Sequence, residues 1–271
     1  MFASLTAVSV GGMFIGGVVP GVMLGLGQIL VIFFLARKLH FPKSDVHYSA
    51  KEALLITLKS FSAIFMIVIV LGGIISGVFT ATEASAISVA YVLLLDLLFY
   101  HKLKPRDLWS SLKNAATGSA SIFLIIGFTS IISWILTMES VPLMINNWVA
   151  AANISPYLLL FLVNLFFLFN GMWISDSAQL VLFAPIFAPI FQQMGIHPIH
   201  FGVVMVVNVM IGLITPPFGV GLYTAASVSG CELKDIVKAS LPFTASCIVV
   251  LLLITYIPNL VLMLPWLAGY I

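Results

Sequence analysis

The chain has 271 residues, of which 62% are hydrophobic and only 7% are charged, and its formal net charge is +2. This composition lies outside the range of soluble globular domains and is typical of proteins with several membrane spans. The small net charge gives no reason to expect nucleic acid as a partner, whereas the lipid bilayer is the expected surrounding. The two cysteines, Cys231 and Cys247, have the spacing of neither a disulfide framework nor a metal site.

Long apolar stretches, taken in chain order, predict membrane-spanning helices. A span needs about 20 apolar residues, and the stretches that meet this requirement are 17–36, 57–79, 83–100, 116–137, 157–174 and 240–265. Shorter apolar pieces lie at 178–193, 199–213 and 218–229. Apolar runs without alternation favour helices over barrel strands. Amphipathic stretches at 104–116 and 141–154 suit helices that lie in the membrane interface. The predicted fold is an all-α polytopic membrane protein.

The basic residues form three clusters, which the positive-inside rule places on the cytoplasmic face. The clusters are Arg37, Lys38, Lys43, Lys51 and Lys59; Lys102, Lys104, Arg106 and Lys113; and Lys234 and Lys238. Because successive clusters share one face, an even number of full spans separates them. Four full spans between residues 155 and 234 would violate this count. The count is satisfied if 157–193 is a helical hairpin that returns to its own side and 199–229 is one span broken near 212–219.

Glycine, proline and short polar residues interrupt these two elements. Proline removes a backbone donor and clashes with the preceding turn, while glycine is permissive. Broken helices at membrane depth occur only where the freed backbone is covered by protein or lines a polar cavity. In many secondary transporters such breaks bind an anionic substrate and a cation. The candidate residues are Gly171, Ser175, Asp176 and Ser177 in the hairpin, and Asn208, Gly212, Thr215, Pro216, Pro217 and Gly219 at the second break.

Three motifs occur in a fixed order along the chain: GVFTATEA at 77–84, GMW at 171–173 followed by Pro185 and Pro189, and HPIHFGV at 197–203 followed by IGLITPP at 211–217. Together they resemble the large membrane subunit of tripartite ATP-independent periplasmic (TRAP) transporters. The resemblance covers the whole chain and matches the C-terminal portion of that permease subunit. The motif at 77–84 also contains Glu83, which we interpret structurally as the start of the helix 83–100, where its carboxylate complements the helix dipole, with Thr80 or Thr82 before it as the cap.

The resemblance implies a multi-pass protein of the bacterial inner membrane that imports small organic acids, such as C4-dicarboxylates, sialic acid or sugar acids, driven by Na⁺. It implies an elevator mechanism, in which a transport-domain repeat (115–238) moves against scaffold helices (1–114), followed by a C-terminal transmembrane helix (239–271). The implied partners are a small TRAP membrane subunit, a periplasmic substrate-binding protein and the N-terminal half of the permease, which is missing from this chain. No cofactor is expected apart from Na⁺ as the coupling ion.

The hairpin departs from the family pattern at one position. The family's aspartate aligns with Ser175, whereas the carboxylate of this chain is one residue later, at Asp176, and one residue on a helix turns a side chain by about 100°. Asp176 is nevertheless an ionisable group at membrane depth, which is costly unless it is paired, hydrated or bound to an ion. Na⁺ prefers oxygen ligands, so the candidate Na⁺ ligands are Ser175, Asp176 and Thr215. Asn208 and Thr215 have interhelical hydrogen bonding as an alternative role.

Two other functional interpretations remain open. The chain could be a truncated, non-transporting remnant of such a permease, or a channel-like pore that conducts Na⁺ without substrate. An enzyme is not expected, because the sequence has no nucleophile elbow, phosphate-binding glycine loop or paired catalytic carboxylates.

Overall fold

The computed structural model describes residues 1–39, 49–151, 154–217 and 219–271. Within these ranges the regular structure is helical and contains no strand. Among the described residues, four helical stretches are long and apolar enough to cross a membrane by length and composition: Val10–Lys38, Ala81–Tyr100, Pro105–Leu136 and Leu233–Tyr256. The all-α polytopic prediction is confirmed. Lys43, residues 152–153 of the predicted interfacial helix and Phe218 at the start of the predicted piece 218–229 lie outside the described residues.

The helices are numbered here in chain order. They are α1 (Phe2–Thr6), α2 (Val10–Gly16), α3 (Val18–Leu39), α4 (Ala50–Ile75), α5 (Ala81–Leu95), α6 (Pro105–Met138), α7 (Val141–Ala151), α8 (Pro156–Gly171), α9 (Asp176–Gln193), α10 (Pro198–Gly212), α11 (Val220–Ser229), α12 (Leu233–Tyr256) and α13 (Asn259–Leu267). The chain divides into two compact units, one made of Arg37–Ser119 and the other of Met1–Ala36 together with Ala120–Ile271. The domain boundaries expected after residues 114 and 238 stay a prediction.

A helical hairpin of α4 and α5 dominates the unit Arg37–Ser119. The tight turn between the helices uses Gly77 at φ 72°, a backbone conformation that favours glycine. Thr80 then caps α5: its Oγ1 accepts from the Glu83 amide at 3.2 Å, and the Glu83 carboxylate accepts from the Thr80 amide at 2.8 Å. This reciprocal capping box satisfies two orphan donors of the helix. The structural interpretation of Glu83 is confirmed, and of the two threonines expected as the cap it is Thr80 that caps α5.

The stretch after α5 differs from the prediction. A π-helical turn, Asp96–Tyr100, follows α5 directly, and α6 then runs without interruption from Pro105 to Met138. The prediction of a separate helix at 104–116 is therefore wrong, because these residues form the first part of α6. No proline lies inside 106–138, and the helix-forming residues at 112–116 allow the amphipathic and apolar parts to continue as one helix.

In the larger unit, α10 lies between two apolar clusters. On one side it packs against the hairpin α8–α9, where the rings of Phe191 and Phe201 stack at 4.6 Å. On the other side Val204 and Ile211 of α10 pack with Ile254 of α12 in a second buried cluster that also includes α13. Burial on both sides fixes the position of α10 relative to α8 and α9. The ends of these helices, where the chain breaks, are therefore positioned relative to one another.

The helices and breaks lie at the residues where the hairpin and the broken helix were expected, while the number of membrane crossings stays a prediction. Helices α8 and α9 match the hairpin expected at 157–193, and α10 and α11 match the broken helix expected at 199–229. The apolar stretch 240–265, expected as one span, instead forms α12 and α13. Ile257, at φ −119° and ψ 82°, leaves the helical conformation between them. The following Pro258 explains this break, because a residue before proline is disfavoured in the α conformation.

Candidate functional site

The two chain breaks meet at a contact between glycine backbones. Helix α8 ends at Gly171 and helix α10 ends at Gly212. A Cβ atom added at Gly171 would lie 2.7 Å from the Cα of Gly212, and one added at Gly212 would lie 2.6 Å from the Cα of Gly171. Only glycine fits at this distance. Because both helices end here, the negative ends of two helix dipoles converge at one point.

The first break, between α8 and α9, is capped by Ser175. Its side chain accepts from the Ala178 amide at 3.4 Å. Asp176 is the first residue of α9, where the positive end of the helix dipole favours a negative charge. Asp176 and Ser177 line a cavity of about 350 Å³ whose walls include residues of α1, α2 and α10. Ser175 therefore acts as a helix cap, and Asp176 is half-buried beside a cavity.

The second break, at 213–219, is a turn held by its own backbone. The Thr215 amide donates to the Gly212 carbonyl at 3.0 Å, and the Gly219 amide donates to the Thr215 carbonyl at 3.1 Å. The Thr215 hydroxyl donates to the Ile211 carbonyl at 2.7 Å. The Pro216–Pro217 peptide bond is cis. The Gly212 and Thr215 carbonyl oxygens each keep a second lone pair, so these two backbone oxygens remain able to bind a cation.

Glycine at position 219 is required by this turn. A Cβ atom there would lie 2.6 Å from the Leu213 carbonyl oxygen. The Leu213 carbonyl in turn accepts from the Gly221 amide at 3.0 Å. The start of α11 is therefore tied directly to the end of α10.

A buried polar network crosses the helices before the glycine contact. Asn208 of α10 is fully buried, and its Nδ2 donates to the backbone and side-chain oxygens of Asn164 in α8, at 2.9 and 2.8 Å. Asn164 Nδ2 donates to Thr255 of α12 at 2.9 Å, and the Thr255 hydroxyl donates to the Leu251 carbonyl at 2.7 Å. Asn208 thus forms interhelical hydrogen bonds. Its Oδ1 has no hydrogen-bond partner within the described part of the chain.

Gln179 is a further buried polar residue, and it lies outside the residues predicted from the sequence to form the site. It lies in the first turn of α9 and is 0% exposed. Neither its Nε2 nor its Oε1 has a hydrogen-bond partner among residues 1–39, 49–151, 154–217 and 219–271. The Nε2 atom lies 3.4 Å from the position that a Gly171 Cβ would occupy. The sequence signal for Gln179, Asn164 and Thr255 was a polar side chain in an otherwise apolar helix.

Formal charge is scarce around the breaks. The sequence has no lysine or arginine between Lys113 and Lys234. Within the described residues, no group of three or more His, Cys, Asp and Glu side chains is placed to hold a metal ion. A cation here would be bound mainly by neutral oxygens, and a carboxylate by backbone amides and the positive ends of helices.

Comparison with known proteins gives a consistent family match. Residues 1–260 match the family described as "Tripartite ATP-independent periplasmic transporter, DctM component". The chain is 38% identical to a C4-dicarboxylate TRAP transporter large permease protein of Pseudomonas aeruginosa, over 98% of the chain and 62% of that protein. It is 31% identical to a sialic acid TRAP transporter large permease protein of Vibrio cholerae, over 98% of the chain and 62% of that protein.

A third relative is a 2,3-diketo-L-gulonate TRAP transporter large permease protein of Escherichia coli, which is 28% identical over 98% of the chain and 63% of that protein. The chain thus spans about three fifths of the length of the curated relatives it matches.

Proposed function

We propose that this chain, which belongs to the family of the DctM component of tripartite ATP-independent periplasmic transporters, forms part of a permease that couples Na⁺ entry to the import of a small organic acid. The relatives named for C4-dicarboxylate, sialic acid and 2,3-diketo-L-gulonate all carry acidic substrates. The substrate class proposed for this chain is therefore a small carboxylate. Membership of this family also supports the assignment of the chain as a multi-pass protein of the bacterial inner membrane. It supports a transporter subunit rather than an enzyme.

The observation that carries the proposal is the contact between Gly171 and Gly212, where α8 and α10 both end. Their converging negative ends favour a cation, and the carbonyl oxygens of the second break supply hard ligands for it. The first turns of α9 and α11 begin beside the same breaks, and their positive ends favour an anion. One place in the fold therefore offers complementary sites for Na⁺ and for a substrate carboxylate.

Among the candidate residues, the proposal gives different roles to side chains and backbone. Gly171, Gly212, Thr215 and Gly219 contribute close packing and backbone oxygens. Pro216 and Pro217 lack the amide hydrogens that would bind the carbonyl oxygens of Gly212 and Leu213 in a continued helix. Ser175, Ser177, Asp176 and Asn208 are the side chains that complete the binding region.

We also propose that the hairpin and the broken helix move together during transport. In support, α10 packs with α8 and α9 on one side and with α12 and α13 on the other. The Asn164–Asn208–Thr255 network joins three of these helices by buried hydrogen bonds. Such packing suits an elevator movement, in which one preformed body changes its depth in the membrane.

The proposed partners are a small membrane subunit, a periplasmic substrate-binding protein and the remaining part of the permease. The experiment measures uptake of radiolabelled C4-dicarboxylates, sialic acid and sugar acids into proteoliposomes under an inward Na⁺ gradient. The chain alone is compared with the chain reconstituted with all three partners. Uptake only in the complete mixture, and only with the gradient, supports the proposal. No uptake in any combination favours a non-transporting remnant, and Na⁺ flux without substrate favours a channel.

A further inference from the structure

Gln179 has a buried side-chain amide, and no described residue forms a hydrogen bond with its nitrogen or its oxygen. It is 0% exposed, and both Nε2 and Oε1 are without partners within those ranges. Leaving a buried polar group unsatisfied costs about 1–3 kcal/mol. Such a group in a native fold points to an additional ligand or to a functional role that offsets this cost.

The amide group of Gln179 lies beside the contact between the two helix ends. Its Nε2 lies 3.4 Å from the position of a Gly171 Cβ, and the Gly212 Cα lies 2.7 Å from that same position. Rotation about the last side-chain bond exchanges the amide nitrogen and oxygen within the same volume. The Gln179 oxygen can therefore face the point where the negative ends of α8 and α10 converge.

A second unsatisfied oxygen belongs to Asn208 of α10. Asn208 is four residues before Gly212, which is about one turn of α10. Its Oδ1 is buried and has no partner in the described ranges, while its Nδ2 is fully engaged with Asn164. One amide oxygen on α9 and one on α10 are thus available, and amide oxygens are hard neutral ligands suited to an alkali cation.

We propose that Gln179 is a side-chain ligand of the transported cation, and that its oxygen completes a Na⁺ site at the Gly171–Gly212 contact. This inference rests on the proposed function. It adds to the Na⁺ site a residue that is not among the motif residues of the family resemblance. The cation offsets the cost of the buried amide, and the amide adds a ligand without adding charge. Gln179 thereby sets the affinity for the ion and leaves the contacts to the substrate unchanged.

The test compares Gln179→Met, which keeps the approximate length but removes the oxygen, with Gln179→Glu, which keeps an oxygen and adds a negative charge. The matched control is Gln28→Met, because Gln28 of α3 is a half-buried amide whose Nε2 already contacts Cys247 Sγ at 2.9 Å. Each variant is made in the assembled permease. Binding of radiolabelled Na⁺ to purified protein, the half-saturating Na⁺ concentration for uptake, the substrate KM at saturating Na⁺ and the Tm are all measured.

We expect Gln179→Met to raise the half-saturating Na⁺ concentration about ten-fold, in both binding and uptake, with the substrate KM at saturating Na⁺ unchanged. Gln179→Glu should bind Na⁺ at least as tightly as the wild type at alkaline pH. If Gln179→Met instead shows wild-type Na⁺ binding, the inference is overturned even if the Tm changes. A wild type that transports without Na⁺ dependence refutes the coupling part of the proposed function, and this inference with it. If Gln179→Glu does not fold, Na⁺ binding by Gln179→Met still decides whether Gln179 is a ligand.

Discussion

The contact between Gly171 and Gly212 makes a sharp prediction for the variant Gly171→Ala. The added Cβ would lie 2.7 Å from the Gly212 Cα, whereas carbon atoms in good contact are about 3.5–4.0 Å apart. The two helices would have to separate by about 1 Å, and the obstructing atom is backbone, which cannot rotate away. Overpacking of this kind costs about 1–3 kcal/mol.

We expect a loss in the middle of that range. About 2 kcal/mol corresponds to a fall in Tm of about 4–8 °C for a folding unit of this size. The assay is thermal unfolding of the detergent-solubilised protein, followed by Na⁺-dependent uptake at a temperature where the variant is folded. The matched control is Gly25→Ala on α3, where an added Cβ has no described atom within 4 Å apart from its chain neighbours and the backbone of its own helix turns. If Gly171→Ala unfolds at the same temperature as Gly25→Ala, the close contact of the helix ends is refuted.

Three further predictions follow from the site and the topology. Asn208→Ala removes the donor to two Asn164 oxygens, and thermal unfolding should show a loss of stability of about 1–3 kcal/mol. The control Asn147→Ala, at an exposed position of α7, should have no measurable effect. Asp176→Ala should weaken the Na⁺ dependence of uptake, and unchanged Na⁺ stimulation would remove Asp176 from the site. A reporter fused after Lys234 should be cytoplasmic, and a periplasmic signal would contradict the assignment of 199–229 as one broken span.

Much of the fold could be predicted from the sequence, because a membrane helix depends on residues that are close together in the chain. A span depends on a continuous apolar run, so the bounds of α8 to α11 lay within a few residues of those predicted. Helices α8 and α10 end at Gly171 and Gly212, close to where the count of basic clusters predicts breaks. The errors came where local signals were weak: amphipathic and apolar sequence joined into the single helix α6, and one proline, Pro258, divided the last apolar stretch into α12 and α13.

The candidate site was predicted only in part, for a physical reason. The sequence marked both breaks, and it showed that glycine occupies positions 171 and 212, but it could not show that these two glycines touch. Nor could it separate the capping role of Ser175 from cation binding, since a hydroxyl suits both.

The sequence by itself determined the membrane environment, the helical hairpin and the position of each break, because all three depend on residues close together in the chain. Only the tertiary structure decided which polar side chains are buried together. Asn164, Asn208 and Thr255 are far apart in sequence and are joined by helix packing. Gln179 became a candidate only when its amide was found buried beside Gly171 without a partner in the described ranges, since the cost of an unsatisfied polar group depends on what surrounds it.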